Sequence, residues 1–207
     1  MSNTASINIC RGIEGGECRF ALFVENDFAK RIETAINETG WPDFLRERYG
    51  DKPNRHKSFS VHGAACPNGC SRPHISDIGL IRSCVPVVDH ENCIQCEECV
   101  RACPDDAMEL VDSRVVITRD KCLVCGFCVG SCPAEAMSCS RTGWRMLAGG
   151  RLGRHPRLGT ELPGVYTSEE VLVILAKALK LWMKNYEEHK RFGWVMDRIG
   201  YEKLFED

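Results

Sequence analysis

The chain has 207 residues, 43% hydrophobic and 27% charged, with 14 cysteines and a formal net charge of −2. That balance excludes an intrinsically disordered chain, and the near-neutral charge offers no global field to attract nucleic acid. The length allows one domain or two small ones, with a core that needs no staples.

Residues 1–10 are polar and lack a basic n-region or an apolar h-region, so no secretory signal is expected. Cys10 and Cys18 follow, spaced C-x7-C around Gly15 and Gly16. Residues 27–37 place Phe28, Ile32, Ala35 and Ile36 at helical spacing, with Gly40 as the stop. A second short helix is expected over 42–49, with Pro42 in its first turn, then a polar loop over 50–57. Residues 58–62 alternate like a strand and lead into Cys66 and Cys70; residues 74–81 contain another strand candidate.

An internal repeat comes next. Cys93, Cys96, Cys99 and Cys103-Pro104 are matched 29 residues later by Cys122, Cys125, Cys128 and Cys132-Pro133. The spacing C-x2-C-x2-C-x3-C-P, repeated, is the run that holds two [4Fe-4S] clusters in bacterial ferredoxins. Three cysteines two residues apart wrap one face of a cubane, and the fourth ligates the other cluster. One cluster is therefore assigned Cys93, Cys96, Cys99 and Cys132, the other Cys122, Cys125, Cys128 and Cys103. Zinc favours isolated C-x2-C pairs with a longer spacer. Short β-rich runs at 85–89 and 114–118 precede the two cysteine loops. Cys84 and Cys139 flank the repeat and are expected to be small buried hydrophobes. Residues 84–139 thus resemble a complete two-cluster ferredoxin, inserted between a first part (1–83) and a second (140–207).

Beyond the repeat, a strand is expected over 144–148. Residues 141–158 hold five arginines (Arg141, Arg145, Arg151, Arg154, Arg157) and His155 but no acid. Such a loop is either a solvated surface or a clamp for an anion, which arginine grips bidentately where glycines let the backbone approach. Thr167-Ser-Glu-Glu170 is a capping-box pattern opening a helix with apolar residues at 171, 174, 175, 178, 181, 182 and 186. Its most apolar run, 171–183, carries Lys177 and Lys180 and falls short of the roughly 20 residues that span a bilayer. A last short helix is read over 194–205. A cytoplasmic setting is expected, where cysteines serve metal or redox chemistry rather than disulfides.

Residues 66–80, from Cys66-Pro-Asn-Gly-Cys70-Ser-Arg-Pro-His74 onward, resemble the second half of the cluster motif of the siroheme sulfite and nitrite reductase family, and Cys10 and Cys18 resemble the first half. Residues 145–158 and 191–205 are similar to the C-terminal part of anaerobic and dissimilatory sulfite reductase subunits, which also carry an inserted ferredoxin. The resemblance implies an α+β siroheme/4Fe-4S domain. It implies a third [4Fe-4S] cluster on Cys10, Cys18, Cys66 and Cys70, with Cys70 shared with the siroheme iron. Arg11, Arg19, Arg72, Arg151 and Arg154 become candidates for the siroheme carboxylates, and Arg72 and His74 for contact with a small oxyanion substrate. Three departures stand out: the family's first cysteine pair is C-x5-C, only nine residues precede Cys10 where the family has a half-domain that completes the pocket, and the basic residues that this half-domain gives to the bound anion have no counterpart in the sequence. A redox partner or subunit supplying that half, within an oligomer or complex, is therefore expected. Two functions lead, ahead of a redox sensor, which ranks last because nothing in the sequence resembles a DNA-reading helix or effector domain. One is an oxidoreductase subunit reducing sulfite or nitrite. The other is an electron-transfer subunit with clusters and no siroheme.

Overall fold

The computed structural model describes residues 4–22, 25–51, 53 and 57–206. A five-stranded mixed sheet organises them, in the order β1 (Ala5–Ile9), β2 (Phe59–Ala64), β3 (Ile78–Val88), β6 (Met137–Ala148) and β7 (Thr160–Glu161). The first three strands are parallel, and β6 runs antiparallel to β3 and β7. With its separate helices this is an α+β architecture, as expected. β1 escapes the sequence reading: Ala-Ser-Ile-Asn-Ile alternates, but over only five residues beside a polar start.

Helix α1 (Phe28–Glu38) turns Phe28, Ile32 and Ile36 inward, and α2 (Trp41–Tyr49) begins after Gly40, whose φ of 81° is available to glycine at little cost. The expected loop at 50–57 lies partly outside the described residues. Helix α5 (Ser168–Lys184) opens on the expected capping box: Thr167 Oγ1 accepts from the Glu170 amide at 3.2 Å, and the Glu170 carboxylate accepts from the Thr167 amide at 2.7 Å. The helix expected at 194–205 is split by Gly200 into α6 (Phe192–Ile199) and a 3-10 turn at Tyr201–Leu204. No helix among the described residues is long and apolar enough to cross a membrane.

Helices α1, α2 and α5 pack together, α1 lying on β1 and α5 on β6, around an aromatic core. Phe28 stacks on Trp144 with centroids 4.6 Å apart, and Trp41 on Trp182 at 4.5 Å. Of the three indole N–H groups that this buries, two find acceptors, Trp144 at Ser168 Oγ (3.0 Å) and Trp41 at the Thr4 carbonyl (2.9 Å), while that of Trp182 has none among the described residues. A buried cation completes the packing: Arg82 lies 4.0 Å over the Trp144 ring and donates to Glu25 at 2.5 Å. Burial lowers the Arg82 pKa, against the opposing pull of Glu25.

β3 and β6 are far longer than their neighbours. β2 meets β3 only at residues 78–81 and β7 meets β6 only at 147–148, so the remainder of β3 and β6 projects as a two-stranded ribbon. The runs expected at 85–89 and 144–148 are thus pieces of these two strands. The ribbon carries the repeat. Helix α3 (Glu98–Arg101) and helix α4 (Phe127–Gly130) stand 29 residues apart, and the hairpin β4–β5 (Met108–Val111, Arg114–Ile117) matches the ribbon end. Met108 pairs with Ile117 as Met137 pairs with Val88, each shifted by 29. A small separate core of Cys99, Met108, Val115, Cys128 and Met137 fills the space between. The sequence repeat is therefore an approximate twofold repeat in space.

Candidate iron–sulfur centres

The repeat arranges its cysteines on unusual backbone. Gln95 and Val124 have φ of 58° and 48°, Glu97 and Gly126 have 60° and 76°, and Asp106 and Glu135 have 49° and 52°. Positive φ at a β-branched residue such as Val124 is costly and persists only where the surroundings impose it, which is a mark of functional loops. The same strain at positions 29 apart means that both loops wrap in one way.

The fourth cysteine of each unit crosses over, as the spacing implies. An enclosed cavity at the far end of the ribbon is lined by Cys93, Cys96, Cys99 and Cys132. Burial raises the Cys99 pKa, with Cys132 and Cys93 as the nearby like charges. In the second group Cys128 is pushed up to about 12 by burial, with Cys125, Cys122 and Cys103 adding to it. Burial also raises Cys125, beside Cys103 and Cys122. Pro104 has no N–H to offer, and the Cys103 sulfur instead accepts from the Ala107 amide at 3.3 Å.

The third group sits at the carboxyl ends of parallel strands, the edge of such sheets where ligands bind. Cys10 directly follows β1, its amide donating to the Gly63 carbonyl at 2.8 Å, and Cys66 follows β2. The C-x7-C spacing is absorbed by a turn, closed by the Gly16 amide on the Arg11 carbonyl at 2.8 Å with Gly15 at φ 84°. Gly12 lets Cys18 close on the site: a Cβ there would stand 3.1 Å from the Cys18 Cβ and 3.0 Å from that of Ala65, beside Cys66. Burial is the main cause raising the Cys66 pKa, and Cys18, Cys70 and Cys10 are its like-charged neighbours. All four thiols are therefore gathered, with Cys66 buried and Cys70 exposed.

The turn bearing Cys70 is held from several sides. Asn8 Nδ2 donates to the Ser71 carbonyl at 3.1 Å, and His62 Nδ1 lies 3.2 Å from the Arg72 carbonyl. The His74 ring stands where a Cβ on Gly69 would reach it at 3.3 Å. Behind it Asp77, fully buried, accepts from the Ser60 amide (2.9 Å), the Ser60 hydroxyl (2.7 Å) and Arg191 (2.8 Å). Neither Asp77 nor Arg191 was singled out in the sequence, because a carboxylate paired 114 residues away leaves no local pattern.

The basic loop docks on this turn. The Gly149 amide donates to the Asp77 carbonyl at 2.8 Å and the Gly159 amide to the His74 carbonyl at 2.7 Å. Most of its arginines are engaged within the chain. Arg141 pairs with Glu170, and Arg145 forms a two-pronged pair with Glu161. Arg151, buried over the Trp194 ring, shares Asp197 with Arg157. Arg154, at the loop tip, is exposed and has no ion-pair partner among the described residues. Arg11, Arg19 and Arg72 are also exposed, and Arg19 lies over Phe20 toward the ribbon (4.6 Å).

Cys84 and Cys139 correct the sequence expectation: they form a disulfide across the ribbon, with Cα atoms 5.4 Å apart. Cys84 stands opposite Thr142 and Cys139 opposite Pro86, with the register slipping at the β-bulge between Val85 and Pro86, an irregularity that residue spacing does not reveal.

The donor sets fit iron–sulfur clusters. Each group offers four thiols, and Ser71 Oγ, buried beside Cys70, lacks a hydrogen-bond partner within the chain. Among the described residues no three His, Cys, Asp or Glu side chains converge on one ion-sized point.

Comparison with known proteins agrees with this geometry. The family model described as nitrite and sulphite reductase 4Fe-4S domain matches residues 1–207. The chain is 32% identical over 195 residues to the coenzyme F420-dependent sulfite reductase of Methanocaldococcus jannaschii, covering 93% of this chain and 29% of that protein. The chain therefore spans under a third of that relative. Among solved structures, dissimilatory sulfite reductase I superposes with a TM-score of 0.60 at 20% identity, covering 98% of this chain and 52% of the other. The NirA protein of Mycobacterium tuberculosis gives 0.56 at 18%, covering 96% and 26%.

Proposed function

This chain belongs to the nitrite and sulphite reductase 4Fe-4S domain family, and from that premise we propose that it is an iron–sulfur redox protein that conducts electrons through three [4Fe-4S] clusters to a siroheme for reduction of sulfite or nitrite. Residues 84–139 are the ferredoxin-like inlet, between the two parts of the siroheme-type domain at 1–83 and 140–207. The reading rests on one observation above all. Cys10, Cys18 and Cys70 are the thiol neighbours of the buried Cys66 at the ends of β1 and β2, with Cys70 facing outward on a turn clamped to the basic loop.

The packing supports one order for the proposed relay. The loop 93–99 lies at the tip of the ribbon beside Val88 and Met137. The loop 124–128 instead meets the third group's own segment: Phe20 and Phe127 have centroids 5.6 Å apart, and Leu22 presses on Gly126. Electrons would enter at the Cys93 group, pass to the Cys122 group and leave toward Cys18. In this proposal Cys70, the exposed thiol of the group, is shared with siroheme, whose iron, when bound, would supply the site at which an oxyanion is reduced.

The chain's own residues bind and orient. Arg154, Arg72 and Arg11 are the exposed cations suited to carboxylates of a macrocycle or to the anion itself. Arg151 fixes the loop through Asp197 and so acts by holding Arg154 in place. His74 is positioned against Gly69 to hold or donate a proton near Cys70. A partner subunit would close the exposed face of Cys70. The alternative, an electron-transfer subunit without siroheme, is favoured by Arg151 and Arg157 being engaged by Asp197.

Anaerobically purified, cofactor-loaded protein decides between them. Siroheme bands with extractable tetrapyrrole, and about twelve irons per chain from three cubanes, support the proposal. The same iron without tetrapyrrole supports the alternative. About eight irons overturns the third cluster in both.

A further inference from the structure

We propose that Cys84 and Cys139 are a redox-active disulfide, reduced through the adjacent iron–sulfur loop and reoxidised by thiol exchange at the exposed Cys139. The inference rests on the cluster assignment above for its source of electrons and goes beyond it in giving the chain a two-electron centre.

Contact with the loop comes first. The Cys84 amide donates to the Val124 carbonyl at 2.8 Å, and Cys84 forms a backbone bridge with Cys125. A Cβ on Gly126 would lie 3.3 Å from Cys84 Sγ, so this sulfur rests against the residue between Cys125 and Cys128. The disulfide thus touches the loop of the cluster nearest the third group, with only backbone between.

Its two sulfurs are unequal. Cys84 is 1% exposed and Cys139 is exposed. Both line a groove of about 610 Å³ that also contains Arg19, Phe20, Phe127 and Ser131. Arg19, itself exposed, is the cation of this groove. An accessible sulfur backed by a buried one is the arrangement of an attacking and a resolving pair. The groove is wide enough for a low-molecular-weight disulfide, with apolar walls and one cation.

The chemistry balances. Two one-electron transfers from reduced clusters break the Cys84–Cys139 S–S bond, and two protons from solvent yield two thiols. In return, the Cys139 thiolate attacks an external disulfide and expels one thiol. Cys84 then attacks the mixed disulfide, expels the second thiol and restores the bond. Two electrons leave as a dithiol equivalent for every two that enter.

The test uses the full cofactor-loaded chain and the double variant Cys84→Ser/Cys139→Ser, neither residue being a proposed cluster ligand. Each is titrated anaerobically with reduced methyl viologen, and iron is measured on the same samples. Equal iron with two more electrons taken up by the parent supports the proposal, as does alkylation of Cys84 and Cys139 in the reduced parent, read by mass spectrometry. Equal electron uptake, or a disulfide intact after the clusters are reduced, overturns it. If the double variant does not fold, the labelling of the parent decides alone. An iron count below that of two clusters would defeat the cluster assignment rather than the disulfide, so the two failures are distinguishable. Glutathione disulfide added to the reduced parent should restore the bond and release two glutathione thiols per chain; no release overturns the exchange step.

Discussion

The crossing-over of the fourth cysteines can be tested by non-additivity. In the structure Cys132 lines one cavity with Cys93, Cys96 and Cys99, while Cys103 is a neighbour of Cys122, Cys125 and Cys128. Removing one of four thiolates opens a cubane to loss, and each [4Fe-4S] cluster carries four irons, so Cys132→Ala should lower the iron content by about four. Cys99→Ala should do the same. Because both act on one cluster, the pair Cys99→Ala/Cys132→Ala should still lose only about four. Cys128→Ala/Cys132→Ala strikes two clusters and should lose about eight. The assay is iron and acid-labile sulfide per chain after anaerobic reconstitution. The reasoning is refuted if Cys132→Ala adds to Cys99→Ala and fails to add to Cys128→Ala, the pattern of a cluster held by Cys122, Cys125, Cys128 and Cys132 alone.

Other consequences concern stability. Asp77→Ala removes a fully buried carboxylate that accepts three hydrogen bonds, leaving the Ser60 amide without its acceptor while Arg191 can turn to water. A loss of about 3 kcal/mol is expected, a fall of roughly 6–12 °C in the melting temperature at this chain length. A fall under about 2 °C would mean that the carboxylate is not holding the turn. Gly79→Ala would set a Cβ 2.1 Å from the Pro73 carbonyl oxygen, so about 1–3 kcal/mol of overpacking is expected, together with loss of iron from the third group. Unchanged iron content would separate that strand from the site. Tyr186 is raised above the ordinary tyrosine value, first by burial and then by its hydrogen bond with Tyr49. The neutral form is favoured by the fold, so this stabilisation is present below the unfolded tyrosine pKa of about 10 and fades as the pH climbs beyond it. Tyr49→Phe should lower the Tyr186 midpoint only in part in an ultraviolet titration; full restoration would give the hydrogen bond, not burial, the larger share.

The local signals were legible. A 29-residue repeat, a capping box and the 3.6-residue spacing of α1 and α5 are set by neighbours in the chain, and the fold keeps each of them. The crossing of Cys103 and Cys132 was also readable, since loop length alone bars the fourth cysteine from its own cube. What residue spacing leaves open is pairing at a distance. β1 becomes a strand because β2 lies beside it. The extra residues between Cys10 and Cys18 become harmless through a turn closed on Arg11. The arginines of the basic loop read as free charge in one dimension, yet in three dimensions Glu161, Glu170 and Asp197 neutralise most of them. The disulfide follows the same rule. Cys84 and Cys139, 55 residues apart, meet because they lie across from one another on two long antiparallel strands, beside a bulge. Sequence by itself determined which thiols are candidates to bind iron, because that chemistry lies in residue type and short spacing. Tertiary structure decided which thiols share a cavity, which charges remain free and where the two leftover cysteines meet, because those depend on contacts between distant segments.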